Sequence, residues 1–116
     1  MVVRGRDGLD EVTTTDVTDA WEVRGGRITE LRLDPAALGV PRASLQELRG
    51  GDARQNAKAL LDVLNGSKGA FRDVAILNAA AGLVVAGHAN DLKEGVEQAT
   101  KSVDSGAAKN RLDRLV

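Results

Sequence analysis

The sequence predicts an α/β chain, with one short strand and a β-hairpin followed by about four helices. Three observations carry that expectation. Alternating runs flank Gly25-Gly26, and a type I′ turn needs positive φ at both of its central residues. Asp52 and Asp91 each stand three residues ahead of a Gln or Glu and open an apolar stripe, the pattern of a helix-starting capping box. The composition also shifts near Gly50-Gly51, from Val- and Thr-rich to Ala- and Leu-rich. At 116 residues one domain is expected, spanning 1–116, with strand, acidic loop and hairpin in 1–50 and the helical half in 51–116.

Taken in order, Val2-Val3 is a short apolar run that stops at Arg4-Gly5. It reads as a buried strand of a parallel sheet, which normally has both edges paired. Glu11 to Thr15 (EVTTT) is β-branched and reads as extended. Ala20 to Arg24 and Arg27 to Leu33 are the hairpin arms. Trp21 and Val23 share one face of the first arm, Leu31 and Leu33 one face of the second. Asp34-Pro35 ends the second arm, since proline has no N–H for the ladder.

Leu38 to Leu48 is irregular, broken by Gly39 and Pro41. After Asp52, the residues Ala57, Leu60, Leu61 and Leu64 follow at helical spacing, and Gly66 suits the C′ position. Phe71 to Ala86 is apolar nearly all round, which predicts a central helix closed by Gly87. Asn78 lies inside it; a buried amide needs partners, so Asn78 is expected to tie this helix to a neighbouring loop. Leu92, Val96, Ala99 and Val103 form the next stripe. Ser105-Gly106 then separates a short last helix in which Leu112 and Leu115 pack.

Charge and composition exclude several functions. Lys plus Arg number 16 against 17 Asp plus Glu, for a net charge of -1, so no basic footprint for nucleic acid or a membrane surface exists. One Trp, one Phe and no Tyr leave no platform on which bases stack. The absence of Cys removes disulfide scaffolds, thiol catalysis and zinc-thiolate sites. MVVRGRDGLDE turns charged before an apolar stretch develops, unlike a signal peptide. The most apolar segment, Val74 to Ala86, has 13 residues, short of the ~20 that span a bilayer. The expected address is the cytoplasm, with no membrane and no nucleic-acid partner.

Asp7, Asp10 and Glu11 form the densest carboxylate cluster and repel one another unless a cation or basic partner compensates. In a continuous strand Asp10 and Glu11 point to opposite faces, so reaching one site requires a turn, which Gly5 and Gly8 permit. Magnesium suits such a loop, because it prefers oxygen ligands and is commonly held by one or two carboxylates plus substrate phosphates. On spacing alone a solvated acidic turn stands beside that reading. Arg4 and Arg6 either meet phosphate or pair with the acids, and pairing is the simpler reading. Arg49-Gly50-Gly51-Asp52 resembles an anion loop, but an N-cap Asp52 occupies those donors itself, so a capped helix entry is expected. His88, the only histidine, follows a helix end with no evident catalytic partner.

VVRGRDGLDEVTTT, AWEVRGGRITELRLDPAALGVPRASLQELRGGDARQNA, DVAILNAAAGLVVAG and the closing EGVEQA…VDSGAAKNRLDRLV together resemble the C-terminal part of the anthranilate phosphoribosyltransferase family. The resemblance runs along essentially the whole chain. It implies the C-terminal portion of a nucleoside phosphorylase- and phosphoribosyltransferase-like α/β domain. It also implies transfer of phosphoribosyl from 5-phosphoribosyl 1-diphosphate to anthranilate in tryptophan biosynthesis, with Mg2+ and usually as a homodimer. The family's D-G-L-D-E motif maps its Mg2+-binding Asp-Glu pair onto Asp10 and Glu11.

Family members are several-fold longer. Their G-T-G-G-D loop, K-H-G-N segment and anthranilate-contacting arginine have no counterpart here. Arg4 stands where many carry histidine, Asp16-Val17 where Gly-Pro is common, and Asp19 adds an acid to that loop. No catalytic residue is therefore assigned and the substrate contacts are unknown. The chain alone is expected to be inactive, and to associate with a second copy or with the missing N-terminal part. The competing expectations are a non-catalytic stand-alone assembly domain or inactive paralogue, and a pyrimidine nucleoside phosphorylase-like transferase, which DGLDE and NAA suit less well.

Overall fold

The computed structural model describes residues 1–115 as a three-stranded antiparallel sheet and four helices, a mixed α/β architecture. Strand β1 (Val2–Gly5) pairs with β2 (Thr18–Arg24), and β2 pairs with β3 (Arg27–Leu33). The β2–β3 hairpin turns on Gly25 and Gly26, at φ 56° and 77°, as the sequence predicts. Register places Ala20 opposite Leu31 and Thr18 opposite Leu33. That face is the buried one, whereas Val23 and Ile28 lie on the outer face at 60% and 72% exposure.

The expected parallel strand is a correction. β1 runs antiparallel to β2, with Val3 opposite Ala20. The intervening loop folds back on itself, the Arg6 N–H donating to the Val17 carbonyl at 3.0 Å. A chain reversed at that point returns antiparallel, because the loop leads back alongside β1 instead of crossing over the sheet. The other edge of β1 is unpaired among the described residues. The segment Glu11 to Thr15 is likewise not a strand. Side-chain hydrogen bonds replace a sheet ladder there.

A short 3-10 turn over Ala36–Leu38 interrupts the irregular stretch. Helix α1 (Ala53–Leu64) begins on the predicted box: Asp52 accepts from the Gln55 N–H at 2.8 Å, and the Gln55 side chain accepts from the Asp52 N–H at 2.9 Å. Helix α2 (Ala70–Val85) is the central helix. Its Leu77 and Ala81 share one core with Val12, Ala20, Leu33 and Val40. It is not covered on every side, since Ala75, Ala79, Gly82 and Val85 are exposed.

Helix α3 (Leu92–Asp104) crosses α2 at Gly95, where a Cβ would stand 2.8 Å from the Ala80 carbonyl oxygen. Arg72, only 3% exposed, joins the same two helices by donating to Asp104 at 2.8 Å. Asp91 caps α3 as predicted, accepting from the Glu94 N–H. The reciprocal arm differs: Glu94 accepts from the Asn90 N–H at 2.8 Å rather than from Asp91. Helix α4 (Ala107–Leu115) half-buries Leu112, but Leu115 is 84% exposed and does not pack.

Candidate functional site

Between β1 and β2 the chain forms a loop whose frame is built from small and hydroxyl-bearing residues. The Gly5 N–H donates to the Leu9 carbonyl at 2.8 Å, and Gly8 at φ 97° lets the backbone double back. The Asp7 carboxylate sits inside this turn, accepting from the Leu9 N–H at 3.0 Å and from the hydroxyls of Thr13 and Thr15. The Thr13 N–H donates to Thr18 Oγ1 at 2.9 Å, and the Ala43 N–H to the Thr14 carbonyl at 3.0 Å. Burial alone pushes the Asp7 carboxyl up, but the two threonine hydroxyls and the backbone N–H bonds outweigh it and hold it below the usual aspartate value.

Asp10 and Glu11 occupy the bend that this frame supports. Both are exposed, and neither makes a hydrogen bond or ion pair among the described residues. Immediately after them, Val12 is 1% exposed and held at both ends of its backbone by one side chain. Its N–H donates to Asn78 Oδ1 at 2.9 Å, and its carbonyl accepts from Asn78 Nδ2 at 2.8 Å. Asn78 Nδ2 also donates to the Val74 carbonyl one turn back at 2.9 Å. The amide therefore ties α2 to a loop, as expected from its sequence context.

The structure thus divides the carboxylate cluster. Asp7 is consumed in holding the loop together and is no candidate ligand, while Asp10 and Glu11 are free. No group of three or more His, Asp or Glu side chains placed to hold a metal occurs among the described residues. Two unpaired carboxylates are an all-oxygen donor set that leaves most of a coordination sphere open. That chemistry fits Mg2+, which keeps waters and shares its sphere with phosphate oxygens.

Arg6 does pair, but with Asp19 rather than with the loop acids, at 2.9 to 3.2 Å. Asp19 belongs to β2, not to the loop. Arg4 lies opposite Asp19 in the strand register and forms no ion pair among the described residues. The Arg49 to Asp52 segment is a helix entry, since the Gly51 N–H donates to Asn56 Oδ1 at 2.8 Å and is unavailable to an anion. His88 is exposed, and its carbonyl accepts from Gln98 at 2.9 Å.

Sequence reasoning missed the separate role of Asp7. A signal was present, because an Asp two residues before a backbone N–H it can cap is an Asx turn, and threonines lie within reach of the same fold-back.

The chain matches the family model described as glycosyl transferase family, a/b domain, over residues 1–109. It is 55% identical over 115 residues to the anthranilate phosphoribosyltransferase of Rhodopseudomonas palustris (strain TIE-1), covering 99% of this chain and 34% of that protein. With the Methylorubrum extorquens (strain PA1) enzyme of the same name, identity is 53% over 114 residues, covering 98% and 34%. Anthranilate phosphoribosyltransferase from Thermus thermophilus superposes with a TM-score of 0.87 at 36% identity, over 97% of this chain and 33% of that one. The Saccharomyces cerevisiae enzyme in complex with PRPP and Mg gives 0.82 at 29%, over 96% and 32%. This chain therefore spans about a third of the length of its relatives.

Proposed function

We propose, for a chain that belongs to the glycosyl transferase family through its a/b domain, that it is the C-terminal part of an anthranilate phosphoribosyltransferase and presents that enzyme's Mg2+-holding carboxylates. The observation that carries this reading is the state of Asp10 and Glu11. They are the two acids of the loop that the fold leaves unpaired, next to a residue fixed at both ends of its backbone. The proposed reaction moves phosphoribosyl from 5-phosphoribosyl 1-diphosphate to the amine of anthranilate and releases pyrophosphate. When bound, Mg2+ supplies positive charge against the departing pyrophosphate. Asp10 and Glu11 hold that ion on one side and leave its other positions to phosphate oxygens and water.

Positioning an amine against a ribose carbon requires more than one carboxylate pair. The isolated chain is therefore inactive in this reading and works as one α/β unit, 1–116, of a larger cytoplasmic assembly. Its surface agrees with a partner, either a second copy or the remaining part of the enzyme. A groove of about 470 Å³ between α1 and α2 is lined by Ala59, Leu60, Val63, Leu64, Phe71 and Ala75. Helix α1 buries no residue fully, and Leu60 and Phe71 are left exposed. Such a face weighs against a self-sufficient domain. Among the described residues no helix is long and apolar enough to cross a membrane.

The test follows the fluorescence of anthranilate with 5-phosphoribosyl 1-diphosphate and Mg2+. The chain alone is expected to give no turnover. Co-expressed with the upstream two-thirds of a relative it is expected to give turnover, and Asp10→Asn to abolish it. Turnover by the isolated chain, or full activity of Asp10→Asn in the complemented enzyme, refutes this assignment.

A further inference from the structure

We propose that Asn78 is a positioning residue for the Asp10–Glu11 loop, setting the backbone from which both carboxylates project. The inference rests on the reading of that loop as the Mg2+ site. Asp10 and Glu11 make no bonds of their own among the described residues, so their direction is inherited from the flanks. On the N-terminal flank, Leu9 is held through both backbone groups, its N–H by Asp7 at 3.0 Å and its carbonyl by the Gly5 N–H at 2.8 Å. On the C-terminal flank Asn78 holds both backbone groups of Val12, and the Thr13 N–H that follows is held separately by Thr18 Oγ1 at 2.9 Å.

The geometry of the peptide unit gives that hold its reach. The Val12 N–H lies in the same planar unit as the Glu11 carbonyl, so fixing its direction at Asn78 Oδ1 also fixes the peptide that leaves Glu11. The next plane is shared, its Val12 carbonyl caught by Nδ2 and its Thr13 N–H by Thr18 Oγ1, so the plane that leaves Glu11 is the one Asn78 sets unaided. The other Nδ2 hydrogen goes to the Val74 carbonyl, which locks the amide in one orientation on α2. A single planar group must offer an acceptor and a donor along one edge here. Asparagine does so, aspartate offers acceptors only, and leucine offers neither. The support is rigid, because Leu77 and Ala81 of α2 pack in the same core as Val12. Partners behind metal ligands typically change metal affinity about 10- to 100-fold when removed.

The experiment uses the 116-residue chain, 15N-labelled, as wild type, Asn78→Leu, Asp10→Asn and Gly95→Ala. The last disturbs the α2–α3 crossing without touching the loop, and so separates lost stability from lost positioning. A metal-free arm reads hydrogen exchange and relaxation of the Leu9, Val12 and Thr13 amides. A second arm titrates Mn2+ in the presence of inorganic pyrophosphate and reads paramagnetic broadening of the same amides. Expected are faster exchange and motion at Val12 in Asn78→Leu, with the Leu9 and Thr13 amides keeping their bonds to Asp7 and Thr18, and Mn2+ binding weakened about 10- to 100-fold. Gly95→Ala keeps wild-type affinity and Asp10→Asn abolishes binding. Should Asn78→Leu not fold, Asn78→Ala removes the same bonds with less steric demand.

If wild type binds Mn2+ and folded Asn78→Leu binds it equally well, the positioning role is overturned while the metal reading survives. If wild type shows no loop broadening at all, the metal reading is what fails. The metal-free arm then decides Asn78 separately, and unchanged loop exchange in the variant overturns its hold.

Discussion

Asp7 is a carboxylate whose ionised form is built into the loop. Its folded pKa is depressed, so the stability it contributes is present above the usual aspartate value of 3.8 and is lost as pH falls through the lower folded value. Asp7→Asn is therefore expected to lower the thermal midpoint at neutral pH, with the difference from wild type closing only on acidification below that usual value. A constant difference across the acid range sinks this account. Gly5 is constrained by proximity rather than by φ: a Cβ there would stand 2.4 Å from Asp7 Oδ1 and 3.1 Å from the Leu9 carbonyl oxygen. Gly5→Ala is expected to cost about 1–3 kcal/mol in denaturant unfolding, in line with overpacked sites. An unchanged midpoint would mean that the loop has slack. By contrast, Arg6 and Asp19 pair in solvent, where screening leaves the pair little net worth.

The helices differ in what sustains them. α2 and α3 hold each other through a close crossing, and Gly95 is the point where only hydrogen fits against the Ala80 backbone. The Gly95→Ala change used above as a control is expected to lower global stability by about 1–3 kcal/mol through that contact. α1 has no fully buried residue and depends more on its own ends. Asp52→Ala removes the cap bond to the Gln55 N–H and leaves the reciprocal bond without its partner geometry. Such a loss is typically about 0.5–2 kcal/mol. Amide exchange in α1 is expected to accelerate selectively, while α2 and α3 keep their protection. Equal acceleration in all helices would show that α1 is sustained by packing instead.

For the molecule as a whole, the Cα radius of gyration is 14.4 Å, against about 13 Å for a compact chain of this length. The excess fits the loose docking of α1. The α1–α2 groove and the open α2 face at Ala75 and Gly82 are the apolar surfaces left to a partner. The apparent mass in sedimentation is accordingly expected to rise with concentration. A Leu60→Glu, Phe71→Glu double variant returns it to that of a monomer. A wild-type chain that stays monomeric at high concentration contradicts this reading of the surface.

The sequence by itself determined the hairpin over Gly25-Gly26, the starts of α1 and α3, the order of the helices, and the adjacency of the acids Asp10 and Glu11. Each of these depends on interactions within a few residues: the sign of φ, a side chain reaching an N–H three positions on, or two acids side by side. It also indicated that Asn78 must find a partner. Tertiary structure alone decided that the partner is Val12, 66 positions away. It decided too that β1 runs antiparallel, that the Val23 face looks outward, and that Asp7 belongs to the frame of the loop rather than to its open acids. Those outcomes depend on which surfaces meet once the chain reverses. A buried amide or carboxylate announces in sequence its need for hydrogen bonds, but the groups that satisfy it are brought within reach only by the fold.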